Sequence, residues 1–333
     1  MKSHSKNALF LTGAAARISQ EVACVDQLIE KKGLTFSEDD TVLAGFSSGS
    51  LNLLAINVCF RNTNPLSWDD FYKKEILWKL SNDKVYTKND FGIPIFNTSP
   101  LRKTLNGFLS SGDIKWMGNL DFESYVLTFS DRHLATEWAV NFGAKNQSAL
   151  NASDLFMAST AIPVVFPNQE IEDNDSANRN FPNGHFSDGG TGGQFKNFED
   201  HIGKYVLNNG PFETLHIVSP MREEGEAELK QLHEGLHGSS FKELEKEELG
   251  RLASYLSFSS FLKFLESIQE WEKENGPIAN EVFVSIPRLD QNFGILDFDV
   301  EQQQYQSVVD WLNRNPEELA VPLNEFVAKH LAV

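Results

Sequence analysis

The amino-acid sequence predicts an α/β fold in which the first strands run parallel. Three observations support this prediction: two short apolar runs with the length of buried strands, an amphipathic stretch after the first run, and a strongly apolar helical stretch after the second. Strands that alternate with helices form βαβ units, and their crossover connections give parallel pairing.

The opening elements follow in order. The first strand is predicted over Ala8–Leu11, which runs into a Thr-Gly turn. A helix is predicted over Ser19–Lys32 because its apolar side chains recur at helical spacing, and Gly33 lies just past its end as a cap. Thr41–Ala44 is the second predicted strand and Leu51–Phe60 the second predicted helix.

The rest of the chain gives more scattered signals. Three further strands are predicted, over Tyr125–Phe129, Thr214–Val218 and Glu281–Ile286. Asp173–Gly193 is rich in Asn, Asp, Gly and Ser and is predicted to be a loop. The densely charged stretch Glu223–Gly250 is interpreted as one or two solvated helices. A helix over Ala253–Trp271 carries so many aromatic residues that we expect it to pack in the core.

The composition excludes several classes of protein. The chain has 333 residues and is 41% hydrophobic, with no internal repeat and no low-complexity linker, so we expect one globular domain over residues 1–333. Its formal net charge of −18 repels phosphate backbones and predicts no nucleic-acid partner. A local apolar patch remains compatible with transient contact with a membrane surface.

The expected compartment is the cytoplasm. Cys24 and Cys59 lie in apolar runs without metal-ligand spacing, which favours buried thiols over a disulfide. Secretion is the alternative, because Lys2 and Lys6 precede a short apolar stretch that resembles the core of a signal peptide. The sequence contains no apolar run of 18 residues, so we expect no membrane span.

The pentapeptide Gly45–Gly49 matches the pattern G-x-S-x-G. Its two glycines, Gly45 and Gly49, allow a sharp strand-to-helix turn that exposes Ser47 as a nucleophile, and the helix that begins at Ser48 directs free N–H groups towards it. The pattern alone often marks a simple turn. The strand before it and the apolar helix after it favour the nucleophile.

A serine nucleophile needs a base, and the best candidate is Asp188 in the glycine-rich run Ser187–Gly193. Because Gly189 and Gly190 carry no side chains, the backbone there can approach another segment closely and present Asp188 to Ser47. The same residues are also typical of an ordinary turn. His185 is interpreted as a surface loop residue and His216 as a core residue, so neither is predicted to be the base.

The loop Thr12–Arg17 joins the first strand to the first helix and consists of small residues. The backbone N–H groups of Gly13, Ala14 and Ala15 can bind an oxyanion at such a helix entrance, and Ser48, at the start of the second helix, is predicted to belong to the same oxyanion- and substrate-binding set. A phosphate-binding loop is the alternative, although neither G-x-G-x-x-G nor G-x-x-x-x-G-K-[ST] is present.

Taken together, these motifs resemble the patatin-like phospholipase family. In order, that family has a glycine-rich oxyanion loop ending in Arg or Lys, a G-x-S-x-G elbow on the second strand, and a downstream D-G-[GA]. The segment Ala158–Pro167 also resembles the family's A-S-x-A-x-P-x-x-F-x. The resemblance covers residues 8 to about 195, where the catalytic motifs lie, and leaves 196–333 for additional strands and helices.

The resemblance implies a three-layer α/β/α fold with a mostly parallel central sheet and a lipid acyl hydrolase, or more broadly a carboxylic-ester hydrolase. Ser47 and Asp188 would form the dyad, Arg17 would close the oxyanion loop, and the acyl ester would be the substrate. The dyad implies neither a metal nor an organic cofactor. An acyltransferase that uses the same acyl-enzyme is equally compatible with the motifs.

One departure from the family pattern concerns the oxyanion loop. The family usually reads Gly-Gly-Gly-x-Arg-Gly there, whereas this chain has Ala14, Ala15, Ala16 and Ile18 around Arg17. Side chains at these positions penalise a left-handed backbone, and the β-branched Ile18 is the more serious change if its position needs that conformation. This departure motivates the alternative hypothesis of a weakened or silent relative that binds lipid or a protein partner.

Overall fold

The computed structural model describes residues 6–89, 94–130, 138–143, 151–171, 184–190, 199–220, 246–289, 291 and 293–331. Within these residues, none of the helices combines the length and the apolar character that crossing a bilayer requires. The described part of the chain contains these strands: β1 (Asn7–Leu11), β2 (Thr41–Gly45), β3 (Thr87–Lys88), β4 (Phe96–Asn97), β5 (Glu123–Ser130), β6 (Trp138–Gly143), β7 (Gln169–Ile171), β8 (Gly184–Asp188), β9 (Phe212–Val218), β10 (Ala279–Ser285) and β11 (Val321–Pro322).

The α-helices of the described residues are α1 (Ile18–Lys32), α2 (Ser48–Cys59), α3 (Asn82–Val85), α4 (Ser99–Ser111), α5 (Ala152–Ser159), α6 (Lys204–Asn209), α7 (Lys246–Asn275), α8 (Glu301–Arg314) and α9 (Leu323–Leu331). A π-helix covers Trp68–Ile76 between α2 and α3. Gly33 ends α1 with a φ of 70°, as its place just past the predicted helix indicated.

The main sheet runs in the order β11-β10-β9-β1-β2-β5-β8-β7, with β6 paired to the other edge of β5. The five strands from β10 to β5 pair in parallel, which confirms the mostly parallel α/β fold. Helices pack on the sheet in an arrangement compatible with three α/β/α layers. For example, Phe10 of β1 stacks on Phe264 of α7 with ring centroids 5.4 Å apart, so this helix covers one face of the parallel centre.

The position of the site follows from how three strands share β5. Tyr125 and Val126 pair with both β2 and β6, whereas Thr128, Phe129 and Ser130 pair with both β6 and β8. Because a strand has only two edges and β6 occupies one of them, β2 and β8 lie end to end along the other. Their C-terminal ends point towards each other.

Most predicted elements are confirmed within a few residues. The first two strands and helices, the three later strands and the apolar helix all correspond to elements of the structure. The described part of α7 lies in the core through five buried side chains, namely Phe261, Phe264, Leu265, Ile268 and Trp271. Cys24 and Cys59 are buried free thiols, as expected.

The predicted loop Asp173–Gly193 is wrong for Gly184–Asp188, which forms β8. Its composition is typical of a turn, but antiparallel pairing with β5 and β7 and the complete burial of Phe186 make it a strand. Gly189 and Gly190 form a turn, as predicted, and the remainder of the predicted loop, at 173–183 and 191–193, lies outside the described residues. So does the charged stretch, apart from 246–250, which begin α7.

Candidate active site

Ser47 occupies the turn between β2 and α2 in a strained backbone conformation, with φ 53° and ψ −141°. Such a conformation costs an L-residue about 1 to 3 kcal/mol and persists only where its surroundings hold it. The Ser47 N–H donates to the carbonyl oxygen of Ser159 at 2.9 Å, and the Ser47 carbonyl accepts the Ser50 hydroxyl at 2.7 Å. These bonds fix the turn that the G-x-S-x-G pattern predicted.

The turn fits only because two glycines allow backbone to touch backbone. A Cβ at Gly49 would lie 2.4 Å from the Leu11 carbonyl oxygen, and one at Gly13 would lie 2.4 Å from the Gly49 nitrogen. Real Cβ atoms do not approach other atoms this closely, so any side chain at either position would force the two segments apart. The loop Thr12–Arg17 after β1, the predicted oxyanion loop, therefore packs directly on the start of α2.

Asp188 ends β8 and is brought to the same place. Gly45, the last residue of β2, pairs with Val126, and Asp188 pairs with Thr128 only two positions further along β5. Two residues of a strand span about 6.6 Å, so this register sets the end of β8 beside the turn at Ser47.

The Asp188 carboxyl group is buried and only partly satisfied. Its Oδ1 accepts the Gly190 N–H at 2.8 Å, while Oδ2 has no well-formed hydrogen bond among the described residues. Burial raises the pKa of Asp188 to about 7, and interactions with the Ser47 side chain and the Gly190 N–H act in the opposite direction. The Ser47 hydroxyl thus lies close enough to affect this carboxyl group without forming an ideal hydrogen bond to it.

The segment that contains Ser159 and Ala161 contacts both predicted catalytic residues, and sequence reasoning missed it as part of the site. The Ser159 hydroxyl donates to the Leu127 carbonyl at 2.7 Å and accepts the Ser47 N–H at 3.2 Å. Two residues later, the Ala161 carbonyl accepts the Asp188 N–H at 2.9 Å. The segment that contains them, Ala158–Pro167, was noticed in the sequence only as part of the family resemblance, and its role depends on contacts that are distant in the chain.

Some backbone N–H groups around the oxyanion loop donate hydrogen bonds within the protein, and others do not. The N–H of Gly13 donates to Glu21 Oε1 at 2.9 Å, that of Ala14 to Ser48 Oγ at 3.0 Å, and that of Ala16 to the Ile295 carbonyl at 2.8 Å. Within the described part of the chain, the N–H groups of Ala15 and Ser48 form no such bond. Of the expected donors Gly13, Ala14, Ala15 and Ser48, only Ala15 and Ser48 thus have an amide without an internal hydrogen bond among the described residues.

Arg17 is buried, and its guanidinium contacts the segment that precedes α8. Its guanidinium donates to the Phe293 carbonyl, with the Nε and Nη2 atoms at 3.4 and 3.3 Å from it. Together with the bond from Ala16 to Ile295, this contact ties the oxyanion loop to the segment that precedes α8. Arg17 thus supports the loop through the C-terminal part of the chain.

Strain in the loop falls on a different residue from the one the sequence suggested. Ile18 has φ −55° and simply begins α1, so its β-branched side chain is unstrained. Ala15 instead has φ 48°, and Gly13 has φ 62°. The departure at Ile18 is therefore harmless to the backbone, and the penalty of replacing a glycine is confined to Ala15.

Replacing Ala15 by glycine should stabilise the protein. A left-handed conformation costs alanine about 1 to 2 kcal/mol, whereas the added freedom of glycine in the unfolded chain offsets part of the gain. We expect the free energy of unfolding to rise by up to about 1 kcal/mol, measured by urea denaturation. Ala16→Gly is the matched control: Ala16 is fully buried without a positive φ, so this change should destabilise. A loss of stability in A15G equal to that in A16G would contradict the assignment of strain to Ala15.

An apolar pocket lies beside Ser47, which belongs to its wall. The two free amides, from Ala15 and Ser48, belong to residues of its wall. The remaining wall is formed by Ile18, Leu51, Tyr72, Ile76, Leu77, Leu80, Val85, Leu101, Thr104, Leu105, Phe108, Thr160, Ile162, Phe166 and Phe298. None of these side chains is charged, so the pocket suits an apolar ligand that carries its polar group at the serine end.

The two histidines considered as bases lie elsewhere in the sheet. His185 is exposed on β8, and His216 lies on β9, where it is buried and stacks on Phe283 with ring centroids 5.3 Å apart. Burial lowers the pKa of His216 to about 4, which is typical of a neutral core histidine. Among the described residues, no group of three or more His, Cys, Asp or Glu side chains is arranged to hold a metal ion.

The fold and the site define a class: an α/β protein with a strained serine beside a buried aspartate, two unused amides and an apolar pocket. No protein-family model matches the chain. No curated protein is significantly similar to it either.

Proposed function

We propose that this protein is a serine esterase of the patatin-like type, which hydrolyses lipid or other acyl esters through a Ser–Asp dyad. The observation that carries the proposal is that Ser47, Ala15 and Ser48 line one apolar pocket, with the Asp188 carboxyl group beside the Ser47 side chain and with the amides of Ala15 and Ser48 free of internal hydrogen bonds among the described residues. A nucleophile, a base and oxyanion donors are the parts that acyl transfer requires.

The reaction would proceed in two steps. Ser47 Oγ attacks the ester carbonyl while its proton passes to Asp188, and the negative charge on the carbonyl oxygen is stabilised by the Ala15 and Ser48 N–H groups. As the bond to the alcohol breaks, Asp188 returns the proton to the leaving oxygen. Water then attacks the acyl-enzyme, Asp188 takes its proton and returns it to Ser47, and the carboxylic acid leaves.

The pocket favours an acyl chain as the part of the substrate that is recognised. An uncharged wall of aliphatic and aromatic side chains stabilises each buried methylene by about 0.8 kcal/mol. Longer chains should therefore bind better until the pocket is full. Hydrolysis of p-nitrophenyl esters with 2, 4, 8, 12 and 16 acyl carbons tests the proposal directly: turnover that rises with chain length supports it.

The same assay separates the alternatives. A protein that turns over none of these esters, and whose Ser47 does not react with a serine-directed fluorophosphonate, would fit the non-catalytic lipid- or partner-binding alternative better. The departures from the family pattern in the oxyanion loop motivated that alternative. The unstrained backbone of Ile18 and the two free amides, of Ala15 and Ser48, favour the esterase instead. Adding glycerol as an acceptor distinguishes acyl transfer from hydrolysis by the appearance of an acylglycerol.

Filling the pocket should change the chain-length preference. Leu105 is a buried residue of α4 in the pocket wall, and a tryptophan there would occupy space that an acyl chain needs. We expect Leu105→Trp to lower kcat/KM for the 12-carbon ester at least about tenfold relative to the 2-carbon ester, which corresponds to about two excluded methylenes. The control is Lys103→Trp, on the exposed side of the same helix, which should leave the profile unchanged. Equal losses for both esters in L105W would contradict this role of the pocket.

A further inference from the structure

Glu21 is a fully buried acidic residue on α1 that lies directly against the oxyanion loop. Its Oε1 accepts the Gly13 N–H at 2.9 Å, and its Oε2 accepts the Asn52 Nδ2 at 2.6 Å. No salt bridge to Glu21 occurs among the described residues. A buried carboxyl group without a cation is costly, so the fold tolerates it here in return for these two hydrogen bonds.

The bonds of Glu21 continue to the pocket wall. Asn52 of α2 uses the same Nδ2 to donate to the Ile18 carbonyl at 3.2 Å, and its Oδ1 accepts the Tyr72 hydroxyl at 2.5 Å. Tyr72 lies in the wall of the pocket beside Ser47. The loop, the nucleophile's helix and the pocket wall are thus joined by one buried chain of hydrogen bonds.

The fixed amides of the loop show what Glu21 contributes. Of the four consecutive N–H groups from Gly13 to Ala16, three are bound inside the protein, and Ala15 alone is left unbound among them. Glu21 holds the first of the three, at Gly13, whose φ of 62° begins the turn of the loop. Releasing Gly13 would allow the loop to rotate and Ala15 to leave its position.

We propose that Glu21 is a positioning residue of the oxyanion hole: it binds the Gly13 amide and thereby holds the Ala15 N–H where the developing oxyanion needs a donor. The inference rests on the proposed esterase function. Glu21 does not touch the substrate, and its effect on the reaction passes through the loop backbone.

The decisive comparison is between Glu21→Gln and Glu21→Met. Both side chains are close to glutamate in size, but only glutamine retains an oxygen that accepts the Gly13 N–H. Asn52 can rotate its amide so that Oδ1 accepts from the new NH₂ group. This rotation gives up the bond from Nδ2 to the Ile18 carbonyl and requires the Tyr72 hydroxyl to accept from Nδ2, but it leaves the bond to the Gly13 N–H intact. We expect E21M to lower kcat by about 10- to 100-fold with little change in KM, and E21Q to retain most of the activity.

A second readout separates positioning from general damage to the fold. Sulfur accepts hydrogen bonds from N–H groups poorly, so an intact oxyanion hole makes an ester react faster than its thionoester. The ratio of kcat/KM for a p-nitrophenyl ester to that for its thionoester should fall in E21M and stay near the wild-type ratio in E21Q. Loss of packing alone would lower both rates together and leave the ratio unchanged.

Glu301→Met is the matched control. Glu301 is also a buried acidic residue, but its Oε2 accepts the Ser19 N–H at 3.3 Å and binds no amide of the loop. We expect E301M to change stability while leaving the ester-to-thionoester ratio unchanged. An unchanged ratio and kcat in folded E21M would overturn the role of Glu21 while wild-type turnover upholds the esterase. Absence of wild-type turnover would instead overturn the proposed function. Should E21M fail to fold, a drop in the ratio for E21A relative to E21Q supports the proposal, and equal ratios overturn it.

Discussion

Replacing Ser47 by alanine should lower kcat for ester hydrolysis by about 10⁴-fold or more while leaving the fold intact. The substitution removes only the hydroxyl group. Alanine retains the backbone N–H that donates to Ser159 and the carbonyl that accepts from Ser50, and these two bonds hold the turn. The strained φ of 53° is unchanged by the substitution, so we expect the free energy of unfolding to stay within about 0.5 kcal/mol of the wild-type value. Parallel kinetics with p-nitrophenyl esters and urea denaturation measure both quantities.

The nucleophile can also be identified by covalent labelling. A fluorophosphonate should modify the wild-type protein at Ser47 and should not modify S47A, as measured by intact mass. Ser110→Ala removes an exposed hydroxyl from α4 and is the control, since it should keep both the labelling and the rate. If S47A retained the wild-type rate, the hydrolysis would have to arise at another residue and the dyad would be wrong.

The parts of the site that the sequence predicted are those set by local patterns. The G-x-S-x-G turn requires only a strand before Ser47, a helix after it and glycines on either side, and all three are visible within about 20 residues. The parallel pairing of β1 and β2 follows from the helix between them. A short-range rule therefore located the serine and the loop before α1.

The parts of the fold and of the site that the sequence could not predict depend on contacts between residues that are distant in the chain. β8 is a strand because β5 and β7 pair with it, although its own composition favours a turn. The bond from Ala16 to Ile295 and the bond from Ser47 to Ser159 join residues that no local pattern connects. The N–H groups of Gly13 and Ala14 are bound by the side chains of Glu21 and Ser48, which lie outside the loop, so the loop sequence alone suggested both as donors although neither is free.

Glu21 illustrates a second limit of the sequence-based prediction. An acidic residue in the first turn of a helix is normally interpreted as an exposed partner of the helix dipole. Here it is turned inward, because α1 begins beneath the loop and the Gly13 amide needs an acceptor. The sequence places Glu21 in the first turn of the predicted helix, but it does not show that the Glu21 side chain points into the protein.

Replacing Asp188 by asparagine should abolish most of the activity and at the same time stabilise the protein. Asparagine cannot accept the Ser47 proton, so we expect kcat to fall by about 10² to 10⁴-fold. Its oxygen can still accept the Gly190 N–H, and its NH₂ group takes the place of Oδ2, which lacks a well-formed partner among the described residues. The substitution therefore removes a buried charge without removing the existing hydrogen bond.

The sign of the stability change depends on pH. Burial raises the pKa of Asp188 from 3.8 to about 7. Between pH 3.8 and about pH 7, the Asp188 carboxyl group is therefore protonated in the folded state but ionised in the unfolded state. Stability of the wild type therefore falls as the pH rises through this window, by about 1.4 kcal/mol per pH unit, and the loss is complete above pH 7. D188N escapes this loss, so its unfolding temperature should exceed that of the wild type at pH 8, and the difference should shrink towards zero as the pH approaches 4.

The same ionisation should govern the rate. Asp188 can act as a base only when it is ionised, so kcat/KM of the wild type should rise with pH and level off above an inflection near 7. Glu21 also has a pKa that burial raises to about 7, so E21Q is the control that assigns the inflection. An inflection that persists in E21Q belongs to Asp188, and its loss in E21Q would transfer it to Glu21. If D188N were less stable than the wild type at pH 8, the raised pKa of the buried Asp188 carboxyl group would be contradicted. The combination of lost activity and gained stability is expected because the charge that catalysis needs at Asp188 is the one that the buried site disfavours.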